Sequence, residues 1–199
     1  MAETPTIAEA SGGARIDPRH YRRVLGRYPT GVTVVTTIAD VPGRSVADAR
    51  RQPIGTTVNS FTSVSLDPPL VLIAIGRERT IHPVIAASHR FAINILDEES
   101  TALSDCFSGA PSPLPREAFC DAPHAVDPSG MPILDAALAY VVCDLERIIE
   151  AGDHTLYLGR IVDLAARERD AWPLLYYRGR YLRIEHAETE ELLGKPDST

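Results

Sequence analysis

At 199 residues, 44% hydrophobic and 24% charged, the chain is sized for one domain with a substantial core. Its 27 acidic against 20 basic side chains leave a formal charge of -7, which excludes the broad basic field that nucleic-acid binding draws on. The longest apolar runs, such as residues 70–75, fall far short of the roughly 20 residues a membrane-crossing helix needs, and no positive-then-apolar leader opens the chain, so a soluble cytoplasmic protein is expected.

In chain order, residues 1–16 are small and polar without a period and read as a disordered tail. Asp17 followed by Pro18 is a helix start, an N-cap with proline at the first helical position, and Tyr21, Val24, Leu25 and Tyr28 fall on one face of a helix ending near Pro29. Residues 32–38 are largely β-branched and predict a buried strand; residues 40–52, with Pro42, Gly43 and three arginines, predict an exposed loop. Strands are expected over 53–61 and 70–75, joined through the Asp67-Pro68-Pro69 turn, whose prolines cannot donate to a sheet ladder.

A short helix over 80–88 and a strand over 91–96 follow, and then a helix running toward Phe107, with Asp97, Glu98 and Glu99 at its positive start. Prolines at 111, 113, 115, 123 and 128 make residues 109–129 a long surface loop or lid. Residues 137–149 alternate as a long strand, Ala151-Gly152-Asp153 turns the chain, and residues 155–164 return. A hairpin is expected from residues 174–177 and 181–184 around Arg178-Gly179-Arg180. Seven or more mostly antiparallel strands with few short helices predict a mainly β domain over 17–185, closing into a barrel that removes its edges, with a C-terminal helix and tail over 186–199.

One segment stands out against this background. From Thr56 to Ser65, seven of ten residues are Ser, Thr or Asn, between strands that are otherwise apolar. That pattern predicts a polar ligand seat. No GxSxG elbow surrounds Ser60, Ser63 or Ser65, so binding is favoured over nucleophilic chemistry. The six histidines show no HxH or HExxH spacing, and no metal site is expected. Cys106, Cys120 and Cys143 are odd in number, widely spaced and without a CxxC pair, so plain reduced thiols are expected. His154 follows Gly152-Asp153 at a strand start, where a tight turn can hold an imidazole at a cleft mouth with the neighbouring carboxylate orienting it; an exposed turn histidine is an equally good reading from sequence alone. Gly31, in the Pro29-Thr30-Gly31-Val32 junction, would let a ligand approach the backbone, and Arg77, Arg79 and Arg90 could meet a phosphate.

Together, residues 28–37 (YPTGVTVVTT), 55–70 (GTTVNSFTSVSLDPPL), 91–96 (FAINIL), 152–154 (GDH), 159–162 (GRIV) and 173–177 (PLLYY) resemble, in the same order, the short-chain flavin reductase family, the FMN-binding split-barrel reductases of two-component monooxygenases. The resemblance implies a Greek-key-like split β-barrel, homodimeric, that reduces FAD or FMN with NADH or NADPH and supplies free reduced flavin to a partner monooxygenase. It implies that Thr30, Gly31, Thr57, Val58, Asn59 and Ser60 lie against the flavin ring, with Asn94 also in contact. Ser63, Ser65, Leu66 and Thr80 would hold the ribityl and phosphate portions, with Arg77 or Arg79 as phosphate neighbours. His154, beside Asp153, would be the nicotinamide-side residue. Where the family often carries Met-Thr after the glycine and then alanine, this chain has Thr56, Thr57 and Val58. Three other readings compete: a non-catalytic flavin electron carrier, a split-barrel protein binding another planar ligand such as haem, and an enzyme like the pyridoxamine phosphate oxidases.

Overall fold

The computed structural model describes residues 16–41, 50–168 and 171–184. The expected C-terminal helix and tail, nearly all of the expected N-terminal tail, and the middle of the loop predicted over 40–52 lie outside these residues.

Helix α1 (Pro18–Leu25) starts as the sequence predicts: the Asp17 carboxylate accepts the His20 N–H at 2.9 Å and Pro18 opens the first turn. None of its side chains is buried, and Tyr21, Val24, Leu25 and the following Tyr28 are each more than half exposed. The apolar stripe exists but stands largely exposed among the described residues. The short strand β1 (Thr30–Gly31) leads into β2 (Thr33–Val41) and β3 (Arg50–Val58), which pair antiparallel from Thr33 opposite Val58 to Val41 opposite Arg50. Both strands thus run into the segment predicted to be loop, because backbone pairing continues past the point where side-chain patterning stops.

The polar run is also built differently from the expectation. Strand β4 (Thr62–Leu66) intervenes, so the Asp67-Pro68 turn joins β4 to β5 (Pro69–Gly76) rather than joining β3 to β5. The Asp67–Pro68 peptide is cis. Helix α2 (Ile81–Ser88), β6 (Arg90–Leu96) and helix α3 (Thr101–Ser108) follow, α3 with Ser100 rather than Asp97 at its N-cap; the Ser100 hydroxyl donates to the Asp97 carboxylate at 2.6 Å. The predicted proline-rich loop contains a 3-10 turn, Arg116–Asp121, and the hairpin of β7 (His124–Val126) with β8 (Pro132–Leu134). The long pair β9 (Ala137–Ala151) and β10 (His154–Ala166), then the hairpin β11 (Leu175–Tyr177) and β12 (Arg180–Leu182), complete the chain as predicted.

Seven strands form one antiparallel sheet in the order β3-β2-β6-β9-β10-β5-β4. A single apolar cluster takes Val35 from β2, Phe91 and Ile93 from β6, Cys143 from β9, Tyr157 from β10 and Ile73 from β5, so the sheet wraps around one core, with Ile81 and Ile85 of α2 packed into it. β3 and β4, the two ends of the sheet, are consecutive in sequence and unpaired with each other, which leaves a seam at Asn59–Phe61. The outer face of β2 is covered too: Val34 packs under α3 residues Cys106 and Phe107 and against Leu134 of β8. Burial on both faces explains why residues 32–38 read as a β-branched run rather than an apolar–polar alternation.

One expectation is corrected in this outer layer, and one predicted residue is placed there. Cys106 and Cys120 form a disulfide between α3 and the 3-10 turn, leaving Cys143 as the buried free thiol. The sequence separation of 14 hides the pair, since only the left-handed backbone at Phe119, Cys120 and Asp121 turns the chain back onto α3. Asn94, expected against a ligand, is fully buried on the outer face of β6: its amide donates to Val34 O and Thr36 Oγ1, both at 3.1 Å, and its carbonyl accepts the Leu134 N–H at 2.8 Å. Side chains alternate along β6, so Asn94 faces β8 while its neighbour Ile95 faces the opposite side. Among the described residues no helix is long and apolar enough to cross a membrane.

Candidate functional site

The β1 turn and the seam between β3 and β4 open on the same side of the molecule. There, a cleft of about 1030 Å³ lies between α1, β1, the Asn59–Thr62 connection and the β11–β12 hairpin. Thr30, Gly31, Asn59, Ser60 and His154 line it, five residues that the sequence singles out and that span 125 positions of chain. Pro29, Phe61, Ile95 and Tyr176 supply apolar walls. A second hollow of about 230 Å³ shares Asn59, Ser60 and His154 with the cleft and adds Thr57, Val58 and Arg79. A third, of about 450 Å³, shares Thr56 and Arg79 with the second and holds Thr80, Phe107 and Phe119. The three form a chain of hollows along the end of β3, and a mixed lining of this kind is what small-molecule sites carry.

Several hydroxyls here are held by the fold itself. Ser60 Oγ lies 2.9 Å from both the N–H and the carbonyl oxygen of Ala74, Thr57 Oγ1 donates to Ser104 O at 2.7 Å, and Thr33 Oγ1 donates to Val58 O at 3.0 Å. Thr30 differs. Its Oγ1 is buried yet has no hydrogen-bond partner, a polar atom whose desolvation is uncompensated at the wall of the cleft. At the next residue a side chain would meet nothing within 4 Å, so Gly31 leaves open space beside that orphaned hydroxyl.

His154 stands at the mouth. Gly152, at φ +64°, makes the β9–β10 turn that a residue with a Cβ adopts only under strain, and the Asp153 carbonyl accepts the Arg77 N–H at 3.1 Å. The Asp153 carboxylate lies 2.7 Å from His154 Nδ1. An ionised carboxylate only accepts, so Nδ1 carries the proton and Nε2 is the ring's free polar atom. This hydrogen bond first, with the electrostatic influence of the His154 ring after it, lowers the exposed Asp153 carboxyl from its ordinary value.

The remaining predicted residues are placed elsewhere. Ser63, Ser65 and Leu66 stand on the edge strand β4 and line none of the three hollows. Arg77 is ion-paired with Glu150 at 3.2 Å, whereas Arg79 lines two hollows while donating to Ser108 O at 2.6 Å. Tyr21, Arg22, Tyr176 and Arg178 also line the cleft, although the sequence does not mark them as site residues. Their signal was present, in a helix with an apolar face and a hairpin turn, but both read as scaffold.

Similar proteins place this architecture. The reductase subunit HsaB of a flavin-dependent monooxygenase from Rhodococcus jostii is 37% identical over 174 residues, covering 87% of this chain and 82% of that protein. An NADH-dependent FAD reductase of Streptomyces globisporus is 36% identical over 177 residues, covering 85% and 88%. Among solved structures, the flavin reductase PheA2 superposes with a TM-score of 0.72 at 34% identity, covering 86% of this chain and all of its own. The NADH:FAD oxidoreductase SgcE6 of Streptomyces globisporus, in complex with NAD and FAD fragments, gives 0.71 at 33% identity, covering 88% and 99%. With residues 25–185 matching the model of the flavin reductase like domain, the chain belongs to that family.

Proposed function

We propose that this protein is an NADH-dependent flavin reductase that supplies reduced flavin to a separate monooxygenase component. The observation that carries the reading is the meeting of cleft and hollow at Asn59, Ser60 and His154, within a domain of this family. Relatives named as NADH-dependent reductases and as monooxygenase reductase subunits cover most of the chain at about the same identity.

The residues present fit a flavin. The orphaned Thr30 hydroxyl offers an uncommitted donor or acceptor at the cleft wall, and Phe61, Ile95 and Tyr176 offer apolar surface for a planar ring. Thr30, Gly31, Thr57, Val58, Asn59 and Ser60 are the residues that would hold the ring. Thr80 and Arg79, in the third hollow, suit the ribityl and phosphate end, with Ser63, Ser65 and Leu66 approaching from the edge strand. Bound flavin supplies the redox chemistry, accepting a hydride from reduced nicotinamide and leaving as reduced flavin. The protein contributes position and environment: the Asp153–His154 hydrogen bond fixes one imidazole tautomer and aim at the mouth, and the apolar walls exclude water. The curled sheet with its seam is the split barrel, and the exposed stripe of Tyr21, Val24, Leu25 and Tyr28 is the surface on which a second copy would pack to make a homodimer.

The test is NADH oxidation followed with catalytic and with stoichiometric FAD or FMN. Many turnovers of free flavin are expected; tight flavin without turnover would make the protein an electron carrier, and failure to bind either flavin would end the flavin reading.

A further inference from the structure

The cleft has a charged end that the ring-binding residues do not use. In a chain with 27 acidic and 20 basic residues, no Asp or Glu lines this cleft, while Arg22, Arg178 and His154 do. Other arginines of the fold stand against carboxylates instead, among them Arg77 with Glu150, Arg90 with Asp144, Arg160 with Asp144 and Glu146, Arg167 with Asp135 and Arg183 with Glu99. Among the described residues Arg22 and Arg178 pair with no carboxylate, and the Arg178 guanidinium stands over the Tyr177 ring, 6.0 Å from its centroid.

The two arginines come from distant segments that the fold locks together. Arg178 and Gly179 sit at φ +53° and +79°, the doubly left-handed geometry of a tight hairpin turn. The Arg178 N–H donates to Gly26 O at 2.9 Å, at the C-terminal end of α1, and the Gly26 N–H donates to Arg22 O at 2.9 Å. A Cβ on Gly26 would lie 2.8 Å from Arg22 O, so the glycine lets the helix end close on itself, and the Arg178 Cα packs at ordinary contact distance beside it. A backbone relay of two hydrogen bonds thus sets both guanidinium-bearing residues on one rim of the cleft.

We infer that Arg22 and Arg178 anchor the diphosphate of a dinucleotide whose ring end lies toward His154, and we assign that dinucleotide to NADH. This rests on the flavin reductase reading. Two unpaired guanidiniums match a diphosphate's two charges, and charge-assisted bonds to phosphate are the strong ones. The assignment to NADH follows from placement: Arg79 and Thr80 already serve the flavin's anionic end in the third hollow, across the seam from the Arg22–Arg178 rim.

The experiment compares wild type with Arg22→Gln and Arg178→Gln, using FMN as the flavin so that only the donor carries a diphosphate. Each variant is expected to raise the KM for NADH by about tenfold, the value of one charge-assisted hydrogen bond, and the KM for reduced nicotinamide mononucleotide by less than about twofold. Without flavin, ADP-ribose titrated calorimetrically should bind wild type with a Kd about tenfold tighter than it binds Arg178→Gln, with Arg178→Lys in between. Equal losses for both donors, or no loss for either, would overturn the anchor; weakened FAD against unchanged FMN, with an unchanged KM for NADH, would overturn the assignment to NADH. A wild-type protein that never oxidises NADH with either flavin would instead overturn the reductase reading on which the anchor stands.

Discussion

Ser60 Oγ sits 2.9 Å from the N–H and 2.9 Å from the carbonyl oxygen of Ala74, so a single hydroxyl stitches the β3–β4 connection onto β5 across the open seam of the barrel. Removing it leaves two half-buried backbone groups to find water or go unpaired. Ser60→Ala should cost about 1–3 kcal/mol in urea denaturation, and because Ser60 lines both the cleft and the adjoining hollow, flavin affinity should fall with it. A variant as stable as wild type would show that the seam is held by other contacts.

His154→Ala should slow flavin reduction by NADH about 10-fold to 100-fold in stopped-flow mixing while leaving flavin affinity nearly unchanged, the size of effect expected for a positioned polar group near reacting atoms. Asp153→Asn should slow it less, by freeing the tautomer. The Asp153 carboxyl is held below its ordinary value, so its charge is present above that value and is lost at a lower pH than an unpartnered carboxyl's. Any step that Asp153 contributes to the wild-type rate should therefore fall at lower pH than the titration of an unpartnered aspartate, and Asp153→Asn should remove it.

Asn94→Leu should destabilise the fold without touching the ligand. The Leu134 N–H would lose its acceptor and Val34 O a donor, at about 1–3 kcal/mol for each group left buried and unpaired. The Kd for flavin, measured on the folded fraction, should be unchanged; a selective loss of flavin affinity would put Asn94 in the site.

The disulfide gives a count that can be checked. Denatured without reductant, the protein should present one titratable thiol, Cys143, and after reduction three. Closing a loop of this length is worth about 3 kcal/mol, so Cys106→Ser with Cys120→Ser should lower the melting temperature measurably and loosen the packing of Phe107 on Phe119, whose rings lie 5.0 Å apart.

Burial inside the barrel pushes the Cys143 thiol up to about 12 from 9.0. A raised value means stability is intact below the unfolded thiol's pKa and is lost as pH rises from that value toward about 12. Cys143→Ala should flatten that alkaline decline. Gly159→Ala should be costly at neutral pH, by about 1–3 kcal/mol, since the added methyl would lie 2.6 Å from the Phe91 ring and 2.7 Å from the Cys143 Cβ.

Local order was legible wherever one chemical signal decided the backbone. Asp17-Pro18 started a helix because its cap needs only neighbours in sequence, and the Ala151-Gly152-Asp153 turn followed from one glycine between two alternating strands. The polar run was also legible as a site: Asn59 and Ser60 do line the cleft, and His154 shares it with them. Its internal structure was not, because a short edge strand rich in Ser looks the same as a loop until β5 is present to pair with it.

By itself, the sequence determined the mainly β domain, the family and the members of a binding surface, since periodicity and motif are properties of adjacent residues. Tertiary structure decided which face each residue shows and what meets what across the chain. It turned Asn94 into the core by one step of strand alternation and brought Cys120 back to Cys106 through a left-handed turn. It also set Arg22 beside Arg178 through the Gly26 backbone. Each of these depends on contacts between segments far apart in sequence, and such contacts exist only once the sheet has wrapped and its ends have met.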